Sequence, residues 1–373
     1  MRASRHERRR GQAVAAAHRD VGSAVAGRPW LASYAWRGWY FLGMSETNQA
    51  AGAVRGDEAA FTALTEPYRR QLHLHCYRML GSFDEAEDLV QETLLRAWRG
   101  WAGFEGRSMV RTWLYRIATN ACLDHLDSKA YRLQSLESPQ AAVDWIQPYP
   151  DRLLDEIAAT DSGPDALVIA RETTELAYLA AIQYLPPKQR AILILRDALG
   201  WSAKETASLL DESVPSVNSA LHRARSSLRT RLPKSRLEWS TATAPTVAER
   251  QLLERYMDAT DRADVSALTA LLREEARLTM PPYPTWFHGR EDIAAAFALS
   301  TDPSSPTYLG QLRTVATAAN RQPAVAAYVR RPGDSVYRAL GLDVLRLEGD
   351  LVVEITRFVN ADLLAAFGLP PTL

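Results

Sequence analysis

Residues 213–236 carry the side chains of this chain that are best suited to bind a nucleic acid. The stretch contains six lysines and arginines and no acidic residue. Asn218, Ser219, His222 and Arg223 recur at a spacing that places them on one face of a helix. Arginine can form two hydrogen bonds with guanine, and asparagine and serine can reach base edges in a major groove. The pattern therefore predicts base contacts from these four residues.

Further cations extend this surface and are suited to hold the phosphates of a DNA backbone. They are Arg225, Arg229, Arg231, Lys234 and Arg236. An ordinary helical hairpin with a solvated basic face would carry the same charge. The DNA interpretation is favoured because the local folding signals around these residues agree with it.

Those signals predict a helix-turn-helix within residues 202–225. Ser202 and Glu205 have the spacing of a capping box, which marks the start of a first helix. Ala207 is the small residue that lets two helices cross closely. Asp211 lies at the turn, where the backbone often needs a positive φ that aspartate tolerates. Ser213 can cap the second helix, whose face carries the candidate base contacts.

The composition of the whole chain gives no electrostatic sign of a nucleic-acid partner. Lys and Arg number 44 and so do Asp and Glu, so the formal net charge is zero. The two cysteines, Cys76 and Cys122, are too few for a disulfide framework, which favours a reducing, cytoplasmic location. His73, His75 and Cys76 lie close in sequence without a fourth ligand, so we expect no metal and no cofactor.

No stretch approaches the roughly 18–20 apolar residues of a membrane span, so no membrane association is expected. Residues 1–43 carry eight arginines and no helical apolar period. They are predicted to form a disordered basic extension, with Met44 as an alternative first residue.

The remaining pattern divides the chain into helical and mixed parts. Residues 55–133 are predicted to be a helical domain, residues 134–165 an acidic linker rich in proline, and residues 166–235 a second helical domain. The clearest helix is Asp84–Gly100, preceded by Ser82 as its cap. From residue 246 to 373, two helices and alternating apolar segments predict an α+β domain with helices on one face of an antiparallel sheet.

Three long motifs in this order resemble the extracytoplasmic-function RNA polymerase sigma factors of the sigma-70 family. They are DEAEDLVQETLLRAW (84–98), FEGRSMVRTWLYRIATNACLD (104–124) and LPPKQRAILILRDALGWSAKETASLLDESVPSVNSALHRAR (185–225). The linker string WIQPYPD (145–151) and the C-terminal domain resemble a sigma-G-like subgroup with a fused SnoaL-like domain. The resemblance implies a multidomain fold, with two all-α sigma domains followed by an α+β cone of the NTF2-like type.

The resemblance also implies a role for each helical domain. The first would dock on the β′ clamp helices of core RNA polymerase, and the second would contact the β flap. The residues implied in polymerase docking are Asp84, Glu87, Asp88, Leu89, Gln91 and Glu92. Acidic residues at the start of a helix also stabilise the helix dipole, and both roles can hold together.

The region 104–132 would recognise and open the minus-ten promoter element, and the helix-turn-helix would recognise the minus-thirty-five element. Interleaved aromatic and basic residues suit a single strand, because bases stack and phosphates attract cations. The minus-ten candidates are Arg107, Arg111, Trp113, Arg116, Asn120, Lys129 and Arg132. The minus-thirty-five candidates are Asn218, Ser219, His222, Arg223, Arg225, Arg229 and Arg231.

The C-terminal domain is predicted to regulate the sigma domains in cis, and no catalytic activity is expected. An aromatic set could line a pocket for a small ligand: Tyr256, Met280, Tyr283, Trp286, Phe287 and His288. Asp261, Asp343 and Glu354 are the candidate acids, although nothing in the sequence places a catalytic pair together. An anti-sigma factor is a further candidate partner.

Two other functions remain open at this point. One is a helix-turn-helix regulator that is not a sigma subunit. The other is a ligand-converting SnoaL-like enzyme with a DNA-binding appendage.

Overall fold

The computed structural model describes residues 57–101, 104, 109–134, 146–160, 173–231, 246–281 and 286–373. The chain divides into two compact units. The helical unit holds the described residues of Tyr34–Gln147 and Leu153–Thr241, and the C-terminal unit holds Pro148–Arg152 and those of Ala242–Leu373. The predicted extension 1–43 lies outside the described residues, as does half of the predicted linker 134–165.

The first half of the helical unit is built from four helices with well-defined ends. They are α1 (Glu58–Thr65), α2 (Arg69–Leu80), α3 (Phe83–Gly100) and α4 (Val110–Gln134). Asp57 caps α1 through hydrogen bonds from the backbone N–H groups of Ala59 and Ala60. Helix α2 ends at Gly81, whose φ of 75° is the left-handed conformation that favours glycine. Ser82 then caps α3 by accepting from the N–H of Glu85, as the sequence predicts.

The second half begins with α5 (Asp151–Thr160) and continues through four more helices. They are α6 (Leu176–Gln183), α7 (Pro187–Leu193), α8 (Ala203–Leu210) and α9 (Val214–Arg231). A π-helical turn, Ile194–Ala198, extends α7 until Gly200 redirects the chain at a φ of 69°. Proline at the start of α7 is favourable because its missing N–H is not needed there.

A buried arginine holds the two halves of this unit together. The Arg190 guanidinium donates to the carbonyl oxygen of Met79 on α2 and, at 2.7 Å, to that of Gln183 on α6. It also donates to the carbonyl oxygen of Leu185. The last carbonyl groups of a helix lack partners within the helix, so a cation there satisfies them and suits the helix dipole. The side chains of Tyr115 and Trp201, both buried, pack with ring centroids 5.6 Å apart across the same junction.

The C-terminal unit combines four helices with one six-stranded sheet. The helices are α10 (Val247–Asp261), α11 (Val265–Leu271), α12 (Arg290–Thr301) and α13 (Leu363–Ala366). The strands are β1 (Leu272–Thr279), β2 (Trp286–His288), β3 (Gln311–Ala319), β4 (Gln322–Arg330), β5 (Arg338–Glu348) and β6 (Leu351–Phe358). Their order in the sheet is β2-β1-β6-β5-β4-β3.

The expectation of a purely antiparallel sheet is wrong, because β1 and β6 run parallel. Hairpins return the chain antiparallel from β3 to β6, and β6 then lies beside β1 at the centre. The turn between β5 and β6 contains Gly349, whose φ is 63°. Gly341 is required by close approach, because a Cβ there would lie 2.1 Å from the carbonyl oxygen of Phe358.

The core of this unit lies between the sheet and α10, α11 and α12. Its members are Leu252, Tyr256, Ala259, Leu268, Leu271, Leu272, Ala276, Leu278, Met280, Ile293, Phe297, Val325, Leu345, Val352 and Ile355. Burial of this apolar surface is the main stabilising contribution. Helix α13 contacts β5 and buries Leu363 and Leu364.

Two buried histidines make the stability of the helical unit depend on pH. Burial lowers the pKa of His75 to about 3 and that of His73 to about 4, although Glu87 partly opposes the shift at His73. Below a pH of about 6.5 the unfolded chain binds protons that the folded chain does not, so stability falls as the pH falls.

We expect the unfolding free energy to fall with a slope of roughly 1.4 kcal/mol per pH unit for each histidine between about pH 6 and pH 4. In His75→Gln the slope should be smaller by roughly 1.4 kcal/mol per pH unit, because one fewer group takes up a proton on unfolding. Urea unfolding of both proteins across this range measures the two slopes. Equal slopes would show that His75 does not contribute.

Candidate nucleic-acid and polymerase interface

Helices α8 and α9 form the helix-turn-helix that the local sequence signals predict. Ser202 and Glu205 make both hydrogen bonds of the capping box. Asp211 ends α8 at a φ of 53° and a ψ of 44°. Ser213 caps α9 by accepting from the N–H of Ser216 at 3.2 Å. The turn chemistry therefore fixes the angle at which α9 leaves α8.

The outer face of α9 presents the four residues that the sequence selects for base contacts. Asn218, Ser219, His222 and Arg223 are all exposed. The opposite face is buried, and its residues are Val217, Ala220, Leu221, Ala224 and Leu228. Val214, at the start of α9, is 39% exposed.

The candidate phosphate contacts differ in whether an acidic side chain already pairs with them. Arg225 binds Asp197 with two hydrogen bonds, of 3.0 and 2.6 Å, which the sequence did not reveal. Arg229 is exposed on α9. The side chain of Arg231 lies outside the described part of the chain, as do Lys234 and Arg236. Arg225 would have to give up an ion pair to hold a phosphate.

The minus-ten candidates that can be described lie on α4, with different degrees of exposure. Arg116 and Asn120 are exposed, and Arg111 and Trp113 are half-buried. Both oxygens of the Asp211 carboxylate accept from Arg116, at 3.0 and 2.9 Å, so the helix-turn-helix turn holds this candidate side chain. Arg107 and the side chains of Lys129 and Arg132 lie outside the described residues.

An aromatic cluster that sequence reasoning missed supports the start of α4. Trp101 stacks on Phe104 with an interplanar angle of 12°, and Phe104 lies 4.7 Å from Trp113 between ring centroids. Phe61 packs edge-on against Trp98 and Trp101. The regular three-residue spacing of Trp98, Trp101 and Phe104 was the available signal. Tyr115, in contrast, is buried and is not available to stack on a base.

The candidate polymerase-docking residues lie on α3, and two of them, Glu87 and Glu92, already form ion pairs within the unit. Glu87 accepts from Arg69 at 2.6 Å and Glu92 from Arg96 at 2.8 Å. Partial burial, with repulsion from Asp84 and Glu87, raises the pKa of Asp88. Asp84, Asp88 and Gln91 are exposed. Leu89 belongs to the hydrophobic core and is only 9% exposed, which leaves little of it for a partner.

Gln147 binds the N-terminus of α3 with most of its polar atoms. Its Oε1 accepts from the Ser82 hydroxyl at 2.9 Å and from the backbone N–H of Asp84 at 3.0 Å. Its Nε2 donates to the Asp84 carboxylate at 2.9 Å. Its main chain also accepts from the Tyr77 hydroxyl and donates to the carbonyl oxygen of Gly81. This residue thereby satisfies a backbone donor that α3 cannot satisfy itself.

The residues that directly follow Gln147 belong to the C-terminal unit. The backbone N–H of Tyr149 donates to Asn320 Oδ1 at 2.7 Å, and the N–H of Asn320 donates back to the Tyr149 carbonyl oxygen at 2.9 Å. The carboxylate of Asp151 accepts from the N–H of Arg321 at 2.8 Å. Arg152 donates to the carbonyl oxygen of Ala366. Tyr149 is fully buried.

The β3–β4 turn has the backbone shape that this contact requires. Asn320 and Arg321 both have positive φ, at 55° and 62°, as in a type I′ hairpin turn. Asparagine adopts that conformation readily, whereas arginine does so at some cost. The hydrogen bonds to Tyr149 and Asp151 help to offset this cost.

Each candidate acid of the C-terminal unit accepts a hydrogen bond from an arginine or a hydroxyl group. Asp343, buried, accepts two hydrogen bonds of 2.7 Å from Arg357 and one of 2.9 Å from the Tyr256 hydroxyl. Burial and the charge of Asp343 raise the pKa of Tyr256. Glu354 accepts from Arg346 at 2.9 Å. Asp261 accepts from Thr314 at 2.7 Å.

The predicted pocket residues do not form one lining. Tyr256 and Met280 belong to the core, whereas Trp286 is 68% exposed and His288 is exposed. Tyr283 lies outside the described residues. Among the residues that can be described, no group of three or more potential ligands could hold a metal ion. In that same part of the chain, no helix is long and apolar enough to cross a membrane.

Comparison with known protein families agrees with this architecture along the chain. Residues 64–132 match Sigma-70 region 2, and residues 175–228 match Sigma-70, region 4. Residues 253–355 match a SnoaL-like domain. The crystal structure of the Mycobacterium tuberculosis extracytoplasmic function sigma factor SigJ shares the fold, with a TM-score of 0.53 and 21% identity over 83% of this chain and all of that chain.

Relatives in sequence establish the family. The ECF RNA polymerase sigma factor SigG of Mycobacterium tuberculosis is 40% identical over 344 residues, which are 89% of each chain. SigW of Bacillus subtilis is 31% identical over 48% of this chain and 91% of its own length. The chain belongs to the extracytoplasmic-function RNA polymerase sigma factors of the sigma-70 family. It is a sigma factor that directs promoter-specific initiation of transcription, with a C-terminal SnoaL-like domain.

The geometry of α9 gives separate predictions for Arg223 and Arg229. Arg223→Ala should cost roughly 1–3 kcal/mol and relax the preference at one base pair, because it removes a base contact. Arg229→Ala should weaken binding equally across sequences and flatten the salt dependence by about one, because it removes a phosphate contact. Binding to a randomised promoter library at several salt concentrations measures both effects. Identical losses for every sequence in both variants would contradict this division of roles.

Proposed function

We propose that the C-terminal domain regulates the sigma domains in cis through the segment Ile146–Arg152. The observation that supports this proposal is the division of the segment's contacts. Gln147 binds the start of α3 in the helical unit, and Tyr149 and Asp151 bind the β3–β4 turn in the C-terminal unit. The partners of the whole protein are then core RNA polymerase and promoter DNA, both in the cytoplasm.

The short spacing of these contacts couples them mechanically. Gln147 and Tyr149 are two residues apart, and an extended chain spans at most about 3.6 Å per residue. While both contacts persist, Gln147 and Tyr149 cannot be more than about 7 Å apart. A change in the contacts of Tyr149 would in this way reach Gln147 and the N-terminus of α3.

The end of α3 that Gln147 binds is the end implied in polymerase docking. Gln147 Nε2 holds the carboxylate of Asp84, a candidate docking residue, at 2.9 Å. A partner that needs this carboxylate competes with Gln147 for it. A ligand or protein that binds the C-terminal domain alters the balance only if it binds the two arrangements with different affinity. An anti-sigma factor and a small ligand remain predictions of this kind.

The promoter contacts are part of the same proposal. Arg116 on α4 and the outer face of α9 would recognise the minus-ten and minus-thirty-five elements, respectively. Asp211 holds Arg116 through an ion pair whose side chains are 47% and 78% exposed. Exposed pairs of this type contribute at most about 1 kcal/mol, so DNA phosphates can displace Asp211 at little cost.

A regulatory role fits the C-terminal domain better than catalysis. A general base needs an unoccupied carboxylate oxygen within reach of a substrate proton. Arg357 occupies both oxygens of Asp343, and Arg346 binds Glu354.

Asn320 and an exposed asparagine of the same domain offer a matched pair of variants to test the regulation. Asn320→Gly keeps the positive φ but loses the acceptor for Tyr149, whereas Asn360→Gly loses an acceptor for the backbone N–H of Asp362 at an exposed site. Loss of one such hydrogen bond is worth about 1 kcal/mol, or roughly fivefold in an equilibrium. We expect Asn320→Gly to change the affinity for core polymerase and the run-off transcript yield by about that factor, and Asn360→Gly to leave both unchanged.

Each variant must first show the thermal unfolding of the parent protein. Indistinguishable core binding and transcription in all three proteins, across a range of concentrations, would rule out regulation through this contact.

A further inference from the structure

The arginines of the C-terminal unit are concentrated in one part of its sequence. Between Asp302 and Asp343 the chain has five arginines and a single acidic residue, Asp334. The rest of residues 246–373 has eight arginines and fifteen acidic residues. A domain that is acidic elsewhere therefore carries a basic part, which lies on β3, β4 and the start of β5.

The fold gathers several of these arginines around one aromatic ring at the edge of the sheet. The guanidinium carbon of Arg330 lies 4.9 Å from the centroid of the Tyr337 ring, and that of Arg313 lies 5.6 Å from it. Gln311 accepts from Arg330 and, at 3.4 Å, from the Tyr337 hydroxyl. Arg331, exposed, follows Arg330 directly. These residues are called the edge cluster: Gln311, Arg313, Arg330, Arg331 and Tyr337.

Strand pairing fixes the edge cluster in place. Gln311 lies opposite Arg330 in the β3–β4 ladder, and β3 is the outermost strand of the sheet. Gly310 permits this approach, because a Cβ there would lie 2.5 Å from the carbonyl oxygen of Arg330. The backbone of Tyr337 exchanges two hydrogen bonds with that of Leu373. Arg313 and Arg330 are thus presented by strands, whereas Arg331 and Tyr337 lie in the connection between β4 and β5.

Neighbouring acids neutralise the edge cluster only in part. Asp261 lies 3.5 Å from Arg313, whose side chain is still 55% exposed. Asp334 lies 4.0 Å from Arg338, next to Tyr337 in sequence. Like charges held on one ring repel each other, and a polyanion relieves that repulsion. Arginine forks are well matched to phosphate oxygens, and a stacked guanidinium is already oriented for them.

We propose that the edge cluster binds the phosphate backbone of the promoter DNA, as a contact additional to those of the two sigma domains. The edge cluster lies on the same polypeptide as α9, and the connection between them runs from Arg231 to Val247. Once α9 is on DNA, the edge cluster is at high local concentration relative to nearby phosphates. The contact is independent of base sequence because phosphates carry no base identity.

The test compares two triple variants of the full-length chain that remove the same charge. The edge variant is Arg313→Gln/Arg330→Gln/Arg331→Gln. The control variant is Arg255→Gln/Arg277→Gln/Arg290→Gln, which changes three exposed arginines of the same domain outside the edge cluster. Fluorescence anisotropy with a random-sequence DNA duplex, at several salt concentrations, measures the affinity and its salt dependence.

The edge variant should flatten the slope of log affinity against log salt by up to about 2.7, because it removes three arginines and each lost phosphate contact contributes roughly 0.9. The control variant should leave the slope unchanged. Equal flattening in both variants would mean that only the net charge matters, and an unchanged slope in the edge variant would overturn the proposal directly. Thermal unfolding must match the parent in both proteins.

A photocrosslinking experiment shows whether the edge cluster lies against DNA or against a protein surface. A photoreactive phenylalanine analogue at position 337, in the complex with core polymerase and DNA, should crosslink to the DNA strand. Crosslinking to a polymerase subunit alone would assign the edge cluster to an acidic protein surface and refute the DNA contact. This outcome is independent of regulation through Ile146–Arg152, because neither variant alters that segment.

Discussion

The helical unit depends on one buried cation. Arg190 satisfies carbonyl groups at the ends of α2 and α6, which would otherwise be buried without partners, and its own charge is stabilised by the same bonds. Because Arg190 precedes the helix-turn-helix and Met79 belongs to the first sigma domain, this contact holds the two promoter-recognition elements in one body. The weak Arg116–Asp211 pair lies at the same junction and can exchange for DNA without disrupting that anchor.

The segment Ile146–Arg152 has contacts both in the helical unit and in the added C-terminal domain. A sigma factor with two domains and a linker needs nothing at Gln147 beyond a flexible connection. Here the linker instead completes the cap of α3 and inserts a buried tyrosine beside the β3–β4 turn. Regulation through this segment requires no long pathway, because the contacts on either side are separated by a single residue. DNA bound at the edge cluster would be a further contact through which promoter DNA acts on the same domain.

Features that depend on neighbouring residues could be predicted from the sequence, whereas features that depend on pairing between distant residues could not. Ser202, Glu205, Asp211 and Ser213 are sufficient to predict the helix-turn-helix, because caps and positive-φ turns depend on neighbouring residues. The parallel β1–β6 pair was missed because the strands are about 80 residues apart in sequence and alternation does not encode direction. The Arg225–Asp197 and Arg116–Asp211 pairs, and the insertion of Tyr149, depend on tertiary contacts that no spacing rule encodes.

If Gln147 and Asn320 act through one segment, their effects on polymerase binding are coupled, and a double-mutant cycle measures this coupling. Core-polymerase affinity would be measured for the parent protein, Gln147→Ala, Asn320→Gly and the double variant. Coupling through the segment means that the second substitution adds little to the first, with a coupling free energy of about 1 kcal/mol. Strictly additive effects of the two substitutions would show that Gln147 and Asn320 act independently, and regulation through Ile146–Arg152 would be excluded.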